Sequence, residues 1–470
     1  MATPLRASRS SGTSTAGRTV SPVLAILICT VVTVMEGYSL IVYGSVIPLL
    51  LSDKSLALTP SAAGLVGSVI YAGMLIGALV SGVIGDRIGR QPVLLVGMGL
   101  FILGFVATGF AGSVATLGLA RLLSGLGVGG AISTALALAR NHAPRGRAGL
   151  VINITMAGIP LGGALTAAIS LYVLPHWGWR PMFFIGAALT LVIFAVVLLV
   201  RLEDRSAFAS SAAHARTDRR TADRTGQRTD APADKASQPQ SGPQPHPHPR
   251  PLSELFHGRG RLLALLIAAV AIPNMFTWFG LNVWLTAAMT SLHYPLTSAL
   301  LFSLVLTAGA VVGSMIAAPL ADRFGLNRVT LITSVLTLAG LIGIVAGAHY
   351  LPLLLVFVAL MGAGGHTTEN LLNASASDLF PASIRGTVLG WTNGMSYVGA
   401  IGPIAGGLVI GSHFGAYGVF VLFGVSACVV VVAVAAFTAV VRRRPTPAAV
   451  AQAGPGTHTG PGTPSPTPAH

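Results

Sequence analysis

Residues 262–321 read LLALLIAAVAIPNMFTWFGLNVWLTAAMTSLHYPLTSALLFSLVLTAGAVVGSMIAAPLA, 60 positions without Asp, Glu, Lys or Arg. A helix crossing the bilayer needs about 20 apolar residues, so this run holds two crossings joined by a tight uncharged turn. Residues 386–441 repeat the pattern over 56 positions, and 329–368 are uncharged over 40. Only 9% of the 470 residues are charged, against about 25% in soluble chains. That excludes a soluble enzyme, a secreted disulfide scaffold and a coiled coil.

Working outward, twelve spans fit, near residues 22–50, 61–84, 93–111, 115–139, 148–172, 180–200, 260–289, 297–320, 328–348, 351–377, 386–410 and 415–441. The net charge of +15 follows this topology and calls for no nucleic-acid partner. With both termini cytoplasmic, 25 of the 28 basic residues fall on the inner side, as the positive-inside rule requires. Lys54 and Arg180 lie outside, and Arg121 lies within a span. The predicted fold class is therefore an all-α membrane protein with 12 transmembrane helices in two six-helix halves, 22–200 and 260–441. Residues 1–21 and 442–470 read as disordered tails. Residues 201–259, charged and then rich in Pro, Gln and His, read as a flexible cytoplasmic linker. Cys29 and Cys428 sit in apolar runs and read as two buried packing residues.

The halves repeat. Gly85-Asp86-Arg87-Ile88-Gly89-Arg90 follows the second span, and Ala321-Asp322-Arg323-Phe324-Gly325 follows the eighth, 236 positions later. Pro144-Arg145-Gly146-Arg147 recurs as Pro381-Ala382-Ser383-Ile384-Arg385, 237 positions later. Parallel six-helix halves are an architecture of transporters.

Of 13 acids, only Glu36 and Glu369 lie inside spans. A charge at mid-bilayer costs about 2.5–3.5 kcal/mol or more, which makes such residues functional candidates. Glu36 lies about 21 Å into its span at 1.5 Å per residue, near the midplane, where a carboxyl that takes up and releases a proton suits a proton carrier. Glu36, Ser39 and Tyr43 share one helix face. So do Asn274, Trp278 and Asn282 in the seventh span, and His366, Glu369 and Asn373 in the tenth. His366 and Glu369 join Glu36 as candidates for proton relay, against the plainer reading of hydrogen-bonded helix contacts. Arg121 is the one basic residue within a span. Its planar fork suits a carboxylate; the alternative is a structural pairing with Glu36 or a backbone carbonyl. Trp278 and Tyr43 suit stacking on a planar substrate, or ordinary packing.

The chain resembles the major facilitator superfamily, through Gly82-x3-Asp86-Arg87-x-Gly89-Arg90, its echo Asp322-Arg323-x-Gly325, and Arg121-x3-Gly125-x-Gly127-x-Gly129. More narrowly it is similar to the aromatic acid:proton symporters. The residues are Glu36-Gly37-Tyr38-Ser39 with Tyr43-Gly44, Gly280-Leu281-Asn282-Val283-Trp284-Leu285, Arg385-Gly386-Thr387-x2-Gly390-Trp391, and Gly399-Ala400-Ile401-Gly402-Pro403. Ser39, Asn141 and Tyr397 stand where that family has an acid, a Glu and an Arg. The resemblance implies a proton-coupled secondary transporter in the bacterial inner (cytoplasmic) membrane, importing a small organic, aromatic carboxylate by alternating access. Substrate-binding candidates are Arg121, Ser39, Tyr43, Asn274, Trp278, Asn282, Asn373 and Tyr397. It also implies an inner gate built from Asp86, Arg87, Arg90, Asp322, Arg323 and Arg385. The alternative is proton-driven efflux of a hydrophobic metabolite or drug, for which Gly158, Pro160, Gly162 and Gly163 form a partial signature. The expected partners are the substrate, protons and the lipid bilayer. The expected state is a monomer without cofactor, metal or enzymatic activity.

Overall fold

A computed structural model describes residues 20–144, 147–200, 202, 255–347, 350–381 and 384–442. The tails and linker expected at 1–21, 201–259 and 442–470 lie almost wholly outside these residues. The described helices are α1 (Pro22–Ser52), α2 (Pro60–Ile88), α3 (Arg90–Gly109), α4 (Val114–Asn141), α5 (Ala148–Met156), α6 (Gly158–Trp177), α7 (Arg180–Leu199), α8 (Gly258–Ser291), α9 (Leu296–Phe324), α10 (Leu326–Val345), α11 (Leu351–Leu379), α12 (Arg385–Val398), α13 (Ile401–Ile410) and α14 (Gly415–Arg442). They form 12 runs long and apolar enough to cross a membrane.

Two spans are broken, the fifth into α5 and α6 and the eleventh into α12 and α13. These are equivalent spans of the two halves, and each break lies just before a proline. Proline has no N–H for the carbonyl four residues back. Gly399 O, which Pro403 cannot serve, instead accepts from Gly402 N at 2.9 Å. Helix starts follow side-chain capping rules: Ser21 accepts from Leu24 N at 3.3 Å, and Thr59 accepts from Ala62 N at 3.2 Å.

The glycines of the fourth span explain their own spacing. A Cβ on Gly125 or Gly129 would strike the carbonyls of Ile70 and Met74 in α2, and one on Gly127 would strike the backbone of α3. The missing side chains let α4 lie against both neighbours, where dispersion and close backbone approach replace the hydrophobic drive absent in lipid. At the loop end, Asp53 accepts from Ser55 N and Oγ at 3.0 and 2.6 Å and from Trp179 Nε1 at 3.1 Å, and pairs with Arg180 at 3.5 Å. The Ser55 and Trp179 bonds lead in holding its carboxyl below the ordinary range. Cys29 is buried as expected, but Cys428 is exposed on α14. A membrane helix turns an apolar face to lipid, and an apolar run does not show which side that is.

Among the described residues, the apolar contact between the two halves lies on one side. On the side away from the chain ends a single apolar cluster joins Tyr43, Ile47 and Leu50 of the first half to Leu281, Trp284 and Phe302 of the second. There Ser68 Oγ donates to Ala400 O at 2.6 Å, Tyr71 stacks on Phe279 with centroids 4.0 Å apart, and Gly44 packs under the carbonyl of Asn282. On the side of the chain ends each half has its own cluster, around Cys29 and Leu138 in one and around Ile267 and Phe437 in the other. Gly82 of α2 and Gly386, Gly390 and Gly394 of α12 face open space there. Among the described residues, one apolar cluster joins the halves on that far side and none joins them on the arginine-rich side.

A side chain at Gly44 has no room in this seal. Overpacking costs about 1–3 kcal/mol, so Gly44→Val is expected to raise the population of the unsealed form about tenfold or more. The check is the labelling rate of Ile47→Cys, a fully buried site, by a membrane-impermeant thiol reagent in an otherwise cysteine-free chain. An unchanged rate would remove Gly44 from the seal.

Candidate functional site

Arg121 stands in α4 one turn before the Gly125 contact, and is 1% exposed. Its Nη1 and Nη2 donate to the carbonyl of Ser39 at 3.3 and 3.4 Å, and its guanidinium lies over the Tyr43 ring, 4.9 Å from the centroid. Nε has no partner, and neither has Ser39 Oγ. Tyr43 is held in place by its hydroxyl, which donates to Ala63 O at 2.9 Å. Of the two structural pairings open to Arg121, the one found is a backbone carbonyl, and no carboxylate of a described residue pairs with it. A cation–π contact and two long hydrogen bonds to a neutral oxygen leave the charge only partly compensated.

Glu36 lies one turn away on α1 and is buried, with Oε2 unpartnered. It borders a small apolar recess inside the first half, with Met98, Phe101, Val128, Ala131 and Thr190. Tyr71 and Tyr397, one from each half, lie within electrostatic reach of it, and Tyr71 is also within reach of Arg121.

Between the halves lies a small cavity lined by residues of both. Leu40 and Ile41 of α1, Tyr71 of α2 and Pro160 of α6 form one wall. Trp278, Phe279 and Asn282 of α8, Thr307 of α9 and His366 of α11 form the other. Trp278 and His366 lie with ring centroids 5.5 Å apart. Asn282 Nδ2 donates to Trp278 O at 2.7 Å, leaving Oδ1 buried and unpartnered. Asn370 Nδ2 lies 3.1 Å from His366 Nδ1.

Deeper in the second half, Glu369 accepts from Ser396 Oγ of α12. Asn274 of α8 donates to Gly365 O at 3.1 Å. Glu369 Oε2 and Asn373 Oδ1 have no partner. Tyr397, half-buried, follows Ser396 on α12. The polar stripes expected on the first, fourth, seventh and tenth spans thus fall into three neighbouring groups: Arg121–Ser39–Tyr43 with Glu36, Trp278–Asn282–His366, and Asn274–Glu369.

Spacing along single helices did not reveal Tyr71, Phe279, Ser396 or Asn370. The first three act across helices. Asn370 stands four residues after His366, a helical spacing that would have found it. The expected gate residues stand at helix ends on the open side. Arg87, Asp322, Arg323 and Arg385 are exposed. Arg90 Nη1 donates to Ala137 O at 3.0 Å, and Arg385 Nε donates to Phe380 O at 3.4 Å. Asp322 makes no ion pair with a described residue, and the Asp86 side chain is outside the described set. Among the described residues no cluster of His, Cys, Asp and Glu could hold a metal ion.

Twelve long apolar helices in two halves agree with what the comparisons find. The sequence pattern of the Major Facilitator Superfamily matches residues 26–315 and 267–466. The chain belongs to the Major Facilitator Superfamily. It is 29% identical over 411 residues to the gentisate transporter of Corynebacterium glutamicum, covering 86% of this chain and 84% of that one. It is 28% identical to the gallate transporter of Pseudomonas putida (91% and 94% covered) and 26% identical to the benzoate transport protein of Acinetobacter baylyi (82% and 83%). A crystal structure of a D-xylose-proton symporter shares the fold at a TM-score of 0.68 and 18% identity, over 89% of this chain and 97% of that one. A bacterial homologue of the lysosomal transporter Spinster shares it at 0.66 and 15%, over 92% and 100%. As a member of this superfamily the protein is a multi-pass membrane transporter and not an enzyme, and the resemblance read from its first, seventh and eleventh spans stands.

Proposed function

We propose that this facilitator imports a small aromatic carboxylate together with protons, by rocking its two halves about the midplane cavity. The observation that carries the reading is Arg121, a buried guanidinium without a carboxylate partner and with a free Nε. Its bonds to Ser39 O are long, whereas a carboxylate oxygen engages a guanidinium at about 2.7–2.9 Å and roughly twice as strongly. A substrate anion therefore displaces the carbonyl. The aromatic wall of Trp278, Phe279 and Tyr71 suits the substrate's ring. The names of the curated relatives support the same substrate class.

Glu36 is the proton carrier in this reading, with Glu369 and His366 as further relay groups. Tyr43, Ser39, Asn274, Asn373 and Tyr397 complete the surroundings of the substrate. The helix-end set Asp86, Arg87, Arg90, Asp322, Arg323 and Arg385 latches the inner side when the halves close there. Both termini and the segment 201–259 are cytoplasmic, because the basic residues are concentrated on that side, and the membrane is the bacterial inner membrane. The protein acts as a monomer.

Counterflow exchange in proteoliposomes tests the substrate class. Vesicles preloaded with unlabelled benzoate should take up labelled benzoate, and benzamide, D-xylose or a hydrophobic cation in the preload should not drive that uptake. Exchange driven by the hydrophobic cation and not by benzoate would favour the efflux reading.

A further inference from the structure

Ser396 of α12 stands between two acceptors. Its Oγ lies within hydrogen-bonding distance of Glu369 Oε1 and, at 2.9 Å, of the carbonyl of Thr392. A hydroxyl has one proton to give. Given to Glu369, it leaves the Thr392 carbonyl facing an oxygen lone pair. Given to Thr392, it leaves the contact with Glu369 without a proton unless the carboxyl supplies one. Both contacts are hydrogen bonds at once only when Glu369 is protonated.

The other carboxyl oxygen is short of a proton as well. Glu369 Oε2 and Asn373 Oδ1 are both buried acceptors without a donor. They belong to residues four apart on α11, a spacing at which helical side chains are neighbours. Buried polar atoms are nearly always paired, so such orphans mark a missing group. Glu369 and Ser396 are each 7% exposed, and among the described residues no cation forms an ion pair with the carboxyl. His366 on α11 and Tyr397 on α12 are the titratable side chains that accompany it within the spans. Arg259 and Arg261 of α8, Asp322 and Arg323 of α9, Arg328 of α10, Asp378 of α11 and Arg385 of α12 all stand in a first or last turn. A buried charge left with a single hydroxyl neutralises instead.

We propose that Glu369 holds a proton in this form of the transporter, and that Ser396 is the positioning residue that keeps the carboxyl tied to α12. The inference rests on the proton-coupled reading above and gives it a loaded state, with the proton stored in the second half. Ser396 suits the task because a hydroxyl serves both ends of a proton cycle. It accepts from the acid while passing its own proton to Thr392, and it donates to the carboxylate once the acid's proton has left.

The test is infrared spectroscopy of the full-length, substrate-free protein in lipid nanodiscs at neutral pH, with isotope-labelled glutamate to mark the carboxyl bands. The wild type should show the C=O stretch of a protonated carboxylic acid that is lost in Glu369→Gln and kept in Glu36→Gln. Ser396→Ala should move that band to higher wavenumber, because a hydrogen bond at either oxygen weakens the C=O bond. Ser396→Thr, which keeps the hydroxyl, should return it, a rescue that a packing role alone would not give. If Glu369→Gln does not fold, the isotope shift together with the Ser396→Ala displacement identifies the band. If Ser396→Ala does not fold, Ser396→Cys should move the band the same way by less. No protonated band from Glu369, or a band that ignores Ser396, overturns the site. Uptake into proteoliposomes is read separately. Uptake indifferent to the proton gradient, with the band present, removes the coupling reading and leaves the site. Proton-driven uptake without the band removes the site alone.

Discussion

Replacing Glu36 by Gln is expected to abolish proton-driven accumulation of the substrate while counterflow exchange continues. Glutamine keeps the size of the side chain and mimics the protonated acid, but it cannot release a proton. Glu36 sits in an apolar recess with one carboxyl oxygen unpartnered, so an ionised carboxylate there has no charge partner to hold it. Cycling between neutral and ionised forms then needs a change of surroundings, which alternating access supplies. Symport of one proton with one anion accumulates substrate about tenfold for each unit of pH difference, since each decade of gradient is 1.4 kcal/mol. Losing the proton step removes that drive and leaves equilibration. Transport assays on Glu36→Gln in proteoliposomes check this, and undiminished accumulation would assign coupling to another residue, Glu369 first.

Arg121→Ala is expected to weaken aromatic acid binding about tenfold to a hundredfold, because a hydrogen bond to a charged group contributes about 1.5–3 kcal/mol. Arg121→Lys should restore only part, since an ammonium lacks the bidentate fork and does not stack on Tyr43 in the same way. Two features separate this from a folding defect. Arg121 makes its polar contacts to a single backbone carbonyl, so the fold does not depend on an ion pair there. The loss should also be confined to acids, with neutral ring amides changing little. Equal weakening of acids and amides would make Arg121 a packing residue that supports Tyr43 rather than a ligand to the substrate.

The spans were legible because the hydrocarbon core imposes a length and forbids charge, and uncharged runs of 40 to 60 residues record that directly. The breaks in the fifth and eleventh spans were not. Proline does not decide them alone: Pro48 lies inside the unbroken α1 and Pro273 inside the unbroken α8. At Pro273 the helix continues, and Thr277 and Ser426 both donate to its carbonyl, at 3.0 and 2.9 Å. At Pro403 the preceding glycines bend instead.

In the candidate site, the stripe Asn274–Trp278–Asn282 was legible from a four-residue period, since one helix carries it. The Tyr71–Phe279 stack joins residues 208 positions apart in different halves, and no local period encodes it. Ser396 carries no signal of its own beside Tyr397, which stands in an arginine's place. It is Ser396 that donates to Glu369.

The most direct measurement is the initial rate of labelled 4-hydroxybenzoate uptake into proteoliposomes held one pH unit more acidic outside than inside. Neutral aromatic acid also crosses bare lipid, so the rate is taken against protein-free vesicles and against vesicles carrying Glu36→Gln. The account predicts a saturable, protein-dependent uptake that continues past equal concentration, toward about tenfold accumulation, and that slows and stops at equal concentration when a protonophore removes the gradient. A protein-dependent rate that ignores the proton gradient, or extrusion of the acid against it, would contradict proton-coupled import.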